Sequence, residues 1–202
     1  MPGTAVDWNT LAIANTKGQL WGNLSIPAVG ARLTVHTDGT PESLANPNAV
    51  HLGMTREGAS YMVKPKFETY FADEFIAPIK TNLGEMEAMI SAEILQVTDS
   101  KLLELLTPGV GTKSSTVAYE QISFGQRALV YSSVALIFPI ETDPALQQKF
   151  AVFHLYKAMN EGGIESKVGR KTLSGIPVSF RGYEITSRAA PDTLGSWWKQ
   201  LT

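Results

Sequence analysis

Apolar and polar residues alternate through residues 85–95, and this alternation constrains the fold more than any other feature. Five successive even-numbered positions are apolar: Met86, Ala88, Ile90, Ala92 and Ile94. The odd-numbered positions, apart from Met89, are mostly polar: Glu85, Glu87, Ser91 and Glu93. The residue types alone favour a helix, but a helix would scatter the glutamates over a wide arc. In a strand, successive side chains point to opposite faces, which gives a pattern that repeats every two residues. We therefore predict a strand here.

Further segments have the same character, with Gly, Pro, Asp and Asn between them. The predicted strands cover residues 31–37, 59–67, 128–140, 150–159 and 176–185. Many short strands separated by turn residues are typical of antiparallel architectures. We therefore expect a mainly β fold, an antiparallel β-sandwich or barrel.

One helix is predicted beside this sheet, over residues 99–107. Thr98, Asp99 and Ser100 offer capping side chains at its start, and Pro108 with Gly109 ends it. Its apolar stripe consists of Leu102, Leu103, Leu105 and Leu106. Because the helix is short, we expect it to pack on the sheet as a single flanking α-helix.

No linker divides the chain, so residues 1–202 are predicted to form one domain. Two stretches have little regular pattern, residues 38–58 and 68–84, and we predict irregular inserts there that neighbouring molecules order. The ends, about residues 1–30 and 187–202, are predicted to be arms.

Composition excludes several function classes. The chain is 44% hydrophobic and 18% charged, with a net charge of −2, so it lacks the basic surface that grips phosphate backbones. It has no cysteine, which excludes disulfides and thiolate metal sites. No secretory signal pattern opens the sequence, and nowhere do eighteen apolar residues run together. We expect a protein made in the cytoplasm and not inserted in a membrane.

No catalytic, cofactor or metal site is predicted. The stretch 109–114 has the glycines and lysine of a phosphate-binding loop, but Thr112 stands where glycine must precede Lys113, and the stretch leads from a helix to a strand. His36, His51 and His154 have no ligand spacing. The shared face of Glu85, Glu87 and Glu93 indicates similar environments, unlike an acid–base pair. We interpret the chain as a non-enzyme.

The order of elements adds a family resemblance. An acidic connector (residues 68–74) leads through residues 75–80 to the alternating strand of residues 85–95 and then to the helix of residues 99–107. Residues 150–158 and 176–183 supply two later strands, separated by Gly162-Gly163 and a basic stretch. Over about residues 53–188, this order of elements and their local sequences resemble the major tail-tube proteins of long-tailed (siphovirus-type) bacteriophages.

The resemblance implies a structural virion protein of the phage tail. Six subunits would form a ring whose sheets join into one inner barrel, and rings would stack into a tube that conducts genomic DNA into the host. The tape-measure protein, the tail terminator and tip proteins would be further partners. The implied location is the virion tail, after synthesis in the host cytoplasm.

Two sets of residues are candidates within that framework. Glu85, Glu87 and Glu93 would line the lumen, since a weakly repelling surface lets DNA pass without sticking. The tryptophans near the chain ends are candidates for contacts between subunits: Trp8, Trp21, Trp197 and Trp198. Docking within their own chain is the equally weighted alternative.

Two other readings stay open. A tail terminator or head–tail connector ring protein would share a related fold but stop at one ring. A small-ligand-binding β-barrel would be a monomer with an apolar cavity.

Overall fold

The computed structural model describes residues 18–70, 80–94, 105–107, 111–115, 120–124, 128–140, 149–163 and 175–200. Within these residues there are nine strands: β1 Gln19–Gly22, β2 Val50–Tyr70, β3 Lys80–Ile94, β4 Gly111–Ser115, β5 Glu120–Phe124, β6 Ser132–Pro139, β7 Phe150–Asn160, β8 Ile176–Gly182 and β9 Gly195–Lys199. Only Leu105 and Leu106 are helical among them. The predicted mainly β, antiparallel fold is confirmed.

Seven strands form one antiparallel sheet in the order β6-β1-β2-β3-β8-β7-β9, and β6 also pairs with β7. Six of them, β1, β2, β3, β8, β7 and β6, therefore each pair with two neighbours in a closed sequence of pairings. We call these strands the six-strand cycle. Strand β9 adds to β7 over Ala151–Leu155, and β4 pairs only with β5.

One apolar cluster, the inner core, receives side chains from every strand of the six-strand cycle. Its buried members are Leu20, Leu52, Ala88, Ile90, Ile94, Leu106, Val134, Leu136, Phe153, Leu155, Ala158, Ile176, Val178 and Phe180. Burying one such large apolar side chain contributes about 1.5–3 kcal/mol. This common cluster stabilises the six strands as a unit.

A second cluster, the outer core, lies on the other face of β6 and β7. There Ala135, Ile137, Phe150 and Val152 pack against Leu24 and Leu33. The latter two belong to residues 24–49, which we call the cover segment. This segment contains no strand beyond an isolated bridge between Val35 and Pro41. It is an irregular layer whose apolar side chains seal the outer face of the sheet.

The cover segment explains one wrong prediction. Residues 31–37 do not form a strand, although Leu33 and Val35 alternate with polar residues. Both apolar side chains pack against the outer core, but no neighbouring strand offers its backbone for a ladder. Alternation reports one buried side of a segment, and it needs a lateral partner to become a strand.

The predicted irregular inserts are also shorter than expected. Strand β2 begins at Val50 and continues to Tyr70, and β3 begins at Lys80. Residues 50–58, 68–70 and 80–84 are therefore strand, while residues 71–79 lie outside the described residues. Gly53 and Gly58, which indicated a loop in the sequence, have φ of 111° and 98° and lie within β2. Glycine permits these conformations at strand irregularities.

The remaining boundaries differ in smaller ways. Part of the predicted N-terminal arm is β1, a strand of the six-strand cycle, and part of the predicted C-terminal arm is β9. Strand β4 includes residues 111–114 of the phosphate-loop-like stretch 109–114. Strands β6 and β8 are shorter than predicted, whereas β7 follows its predicted range closely. Of the predicted helix, residues 99–104 lie outside the described residues.

Asn160 joins four pieces of the fold at the end of β7. Its side-chain amide donates to the carbonyl oxygens of Leu106 (2.9 Å) and Gly163 (3.0 Å). Its side-chain oxygen accepts from the backbone N–H of Ser179 (2.9 Å) and of Gly162 (3.3 Å). Because Asn160 is buried, its loss would leave several of these backbone groups without a partner.

We predict that Asn160→Ala lowers the free energy of unfolding by roughly 2–4 kcal/mol, since buried polar groups lose their hydrogen bonds. Chemical denaturation followed by circular dichroism measures the change. Asn48→Ala is the matched control, because the Asn48 side chain is exposed. Equal effects of the two substitutions would contradict the role given to Asn160.

Candidate functional site

Strands β2 and β3 extend beyond the six-strand cycle as a two-stranded ribbon, defined here as residues 60–70 and 80–88. Strand β1 pairs only with Val50–Met54 of β2, and β8 pairs only with Met89–Ile94 of β3. Within the described residues, both outer edges of the ribbon therefore lack a strand partner. At about 3.4 Å per residue the ribbon is roughly 35 Å long. A two-stranded ribbon of this kind has little stability alone.

One face of the ribbon is apolar and continues the inner core. Tyr61, Val63 and Pro65 pair with Ile90, Ala88 and Met86, in that order, and Ile90 and Ala88 are core residues. The Tyr61 ring stacks on Phe153 at 4.8 Å between centroids. Further out, Phe67 pairs with Leu83. The large apolar side chains on this face are 39–62% exposed: Tyr61, Val63, Phe67, Leu83 and Met86.

The opposite face carries charges of both signs. Lys64 pairs with Glu87 and Lys66 pairs with Glu85 across the two strands. Lys66 Nζ lies 2.7 Å from Glu85 Oε2, and the hydrogen bond and charge of Lys66 lower the pKa of Glu85. Arg181 of β8 lies 3.6 Å from Glu87 Oε1. The predicted acidic face is thus a mixed face of paired charges.

The three glutamates predicted to line a lumen share one side of β3. Glu85, Glu87 and Glu93 occupy odd-numbered positions, opposite to buried Ala88 and Ile90. Glu93 lies further along β3, where it pairs with Pro177 of β8. The structure therefore brings the three glutamates to the outward side of one strand, at its ribbon end and at its base.

Two irregularities fix how the ribbon leaves the sheet. The pairing of β2 with β3 jumps from Thr55↔Ile94 to Ala59↔Ala92, and Gly58 in this interval has a φ of 98°. A second shift lies between Lys66↔Glu85 and Phe67↔Leu83, where Gly84 is the extra residue. Bulges bend a ribbon and define its register. Their positions set where the apolar face points.

Two of the four candidate tryptophans pack against the outer core, and one is half exposed. Trp21 and Trp198 pack against the outer core, and Arg32 lies 5.3 Å above the Trp198 ring. Trp197 is 50% exposed and pairs with Phe153 at the open side of the inner core. Trp8 lies outside the described residues. Trp21 and Trp198 therefore dock within their own chain, and Trp197 presents the largest free surface of these three.

The histidines do not converge. His36 is exposed on the cover segment, His51 faces Trp21 with ring centroids 4.7 Å apart, and His154 is fully buried on β7. No group of three or more His, Asp or Glu side chains suited to a metal ion occurs among the described residues. Nor does this part of the chain contain a helix long and apolar enough to cross a membrane.

A cavity of about 410 Å³ opens at the end of the six-strand cycle where β1 ends and β2 begins. Polar residues Asn23, Asn48 and Ser132 line it together with apolar Ala158 and Phe180. Asn23 has a φ of 55°, and its backbone N–H donates to Ser132 Oγ at 3.0 Å. No charged side chain belongs to the described lining.

Comparison with models of known protein families and with curated protein sequences finds no match to this chain.

The ribbon is the feature that sequence reasoning missed. The alternation of Tyr61 and Val63 predicts an ordinary strand over residues 59–67. A sign of the longer exposed face is present in the sequence, because the odd-numbered apolar positions continue through Pro65 and Phe67 while Lys64, Lys66 and Glu68 occupy the even ones. Alternation cannot show whether the apolar side is covered by the same chain.

We predict that Lys66→Ala raises the pKa of Glu85 toward its ordinary value, because the hydrogen bond and positive charge disappear. The thermal midpoint should stay almost unchanged, since exposed ion pairs contribute little to stability. Nuclear magnetic resonance titration of the Glu85 carboxylate measures the first effect. An unchanged Glu85 pKa would contradict the ion pair.

Proposed function

We propose that this protein is the subunit of a phage tail tube, a structural protein of the virion that assembles into stacked hexameric rings. The observation that carries the proposal is the ribbon, whose apolar face is exposed and whose outer edges have no strand partner among the described residues. Such a surface is costly for a protein that stays a monomer. The mainly antiparallel β fold and the resemblance over residues 53–188 support the same assignment.

The six-strand cycle is proposed to be a closed β-barrel around the inner core. Each of the six strands pairs with two neighbours, so this part of the sheet has no free edge. Among the described residues, free edges then remain on the ribbon, on β9 and on the β4–β5 pair. We also propose that the predicted helix of residues 99–107 flanks the barrel, with Leu106 in the inner core.

The ribbon edges are suited to a ring. The Lys64–Glu87 and Lys66–Glu85 pairs form within one ribbon, while the outer edges of β2 and β3 there have no strand partner among the described residues. If β2 of one subunit lies beside β3 of the next, each edge gains the backbone hydrogen-bond partner that it lacks. Such head-to-tail contacts use two different patches and close into a ring when the rotation permits. The joined ribbons would form the wall of the tube.

The mixed-charge face suits the bore of that wall. The apolar face is directed to the inner core and to neighbouring subunits, so the face with Lys66–Glu85 and Arg181–Glu87 is left for the lumen. Paired charges present no basic strip to the phosphates of passing DNA. DNA can therefore move through the bore without being held.

The cavity at the end of the six-strand cycle favours a second candidate function, binding of a small uncharged ligand. Its volume falls within the range of small-molecule sites, and its lining combines polar and apolar groups. A protein that remains a monomer at every concentration would favour this function over the tube. A tail terminator or connector is the third candidate, which single rings without filaments would favour.

We predict that the purified protein forms tubes, and that Val63→Glu abolishes them by placing a charge on the apolar face. Negative-stain electron microscopy and sedimentation over time measure assembly. Met62→Glu is the matched control, because Met62 is also about half exposed but points to the opposite face of the same strand. It should disturb assembly much less.

Two results would contradict this prediction. The wild-type protein would remain a monomer at high concentration, or the Val63→Glu protein would polymerise as readily as the wild type. Circular dichroism of each variant should show an unchanged fold, since Val63 is 49% exposed.

We further predict that Glu85→Lys, Glu87→Lys and Glu93→Lys together leave tube assembly intact but slow DNA ejection. The added lysines would join Lys64, Lys66 and Arg181 in a basic strip that holds phosphate. Dye-monitored DNA release from phage particles carrying the variant measures the effect. The triple Glu→Gln variant is the control, because it removes the carboxylates without adding positive charge; normal ejection by the lysine variant would refute the lumen placement.

A further inference from the structure

His154 lies on β7 between Val152 of the outer core and Tyr156. Its side chain is fully buried on the outer face of β7. Nε2 lies 2.5 Å from Ser133 Oγ of β6, and Nδ1 is buried without a hydrogen-bond partner. A protonated imidazole has two N–H donors. The site offers an acceptor to only one of them.

The ring of Tyr156 connects His154 to a charged cluster. His154 meets this ring edge-on at 5.1 Å, and the Arg188 guanidinium lies 4.5 Å above its centroid. The Tyr156 hydroxyl donates to Asp192 Oδ1 at 2.7 Å, and Asp192 Oδ2 is ion-paired with Arg188. The three side chains form a compact clamp at the end of the outer core.

The clamp holds the cover segment to the sheet. Arg188 donates to the carbonyl oxygen of Pro27 at 2.8 Å. The backbone N–H of Gly30 donates to Asp192 Oδ2 at 3.4 Å. Pro27 and Gly30 both belong to the cover segment, so any change that displaces Arg188 releases that end of it.

The charged and titratable groups around His154 favour its neutral form. Ser133 faces it from β6, Ser196 lies opposite it on β9, and Tyr156 follows it on β7. The loop after β8 contributes Arg188 and Asp192, and Asp192 is already engaged by Arg188 and Tyr156. The cover segment contributes Arg32, above Trp198 of β9. Burial, and to a smaller extent Arg188, lower the His154 pKa to about 4.

We propose that His154 is an acid-sensitive latch whose protonation displaces Arg188 from Tyr156 and Asp192 and so frees the cover segment from the outer face of the sheet. The six-strand cycle keeps its inner core, because no inner-core side chain takes part in the clamp. The latch does not depend on the tube function.

The direction of the pH dependence follows from the difference in His154 pKa between the closed and open forms. Once the cover segment opens, water reaches His154 and its pKa returns toward 6.5, whereas in the closed form it is about 4. The open form therefore binds more protons between these two values, and opening becomes more favourable as pH falls through this window. The opening equilibrium should increase about 30-fold from pH 7.5 to pH 5. Above pH 7 it should be nearly constant.

Hydrogen exchange followed by mass spectrometry tests the latch, with rates corrected for the intrinsic pH dependence of amide exchange. The reporters are the amides of Gly30, which donates to Asp192, and of Ala31, which donates to Ala28, compared with amides of β3 and β8. In the wild type the cover segment should open as pH falls while β3 and β8 stay protected. Simultaneous opening of β3, β8 and the cover segment would overturn the proposal.

Variants separate His154 from the other histidines. His154→Gln stays uncharged and should flatten the pH dependence, with His154→Phe as a second neutral variant should the glutamine protein fold poorly. His36→Gln is the matched control and should behave like the wild type, because His36 is exposed on the same segment. His51→Gln should also retain the pH dependence, although burial lowers the His51 pKa to about 4 as well. A pH dependence that persists in both His154 variants, or that disappears with His51→Gln, would overturn the proposal.

Discussion

The inner core is the constraint on which the rest of the structure depends. Each strand of the six-strand cycle contributes to it, so no strand can leave without exposing apolar surface that the other five have buried. The same requirement fixes the registers, because a shift of one residue would turn every buried side chain of a strand to the other face. Tyr61 lies where this core ends: its ring packs on Phe153 but remains 45% exposed. Beyond it the alternation of β2 and β3 continues, and no other described part of the chain covers its apolar side.

The cover segment buries one face of the sheet, whereas the apolar face of the ribbon stays exposed. Over β6 and β7, an irregular stretch of the same chain supplies Leu24 and Leu33 as a second layer, and it is held by side chain–backbone hydrogen bonds such as Ser25 N to Asn46 Oδ1 at 2.8 Å. The ribbon has no comparable layer within the described residues. Its charged face is satisfied internally by Lys66 and Glu85, while its apolar face is not. Within the described residues, the apolar face of the ribbon is therefore the part of the sheet left without a covering layer.

The sequence predicted those elements whose two faces differ along their whole length. In β3, Ala88 and Ile90 are buried and Glu85 and Glu87 face outward, so a period of two was visible despite helix-favouring residue types. The prediction was wrong for residues 50–58, where Gly53 and Gly58 lie at irregularities within a strand. In the sequence, glycines at such positions look the same as glycines in a loop. The prediction was also wrong for residues 31–37, where the lateral partner of a strand is a property of tertiary structure. Pairing partners on distant strands leave no trace in a local pattern.

The charges on the outward face of β3 show most directly that a local pattern does not reveal neighbours on other strands. The alternation predicts an acidic strip of Glu85, Glu87 and Glu93. In space, however, Glu85 is paired with Lys66 of β2 and Glu87 with Arg181 of β8. The antiparallel register places Lys64 and Lys66 directly opposite Glu87 and Glu85. The positive charges beside the glutamates therefore come from the pairing of two strands, and the sequence of β3 alone does not show them. A face of paired charges is held in place by its own cross-strand attractions, and it presents little net field to a polyanion. In the proposed tube, DNA would pass without sticking because charges on neighbouring strands compensate each other, and this compensation requires the ribbon to be in register.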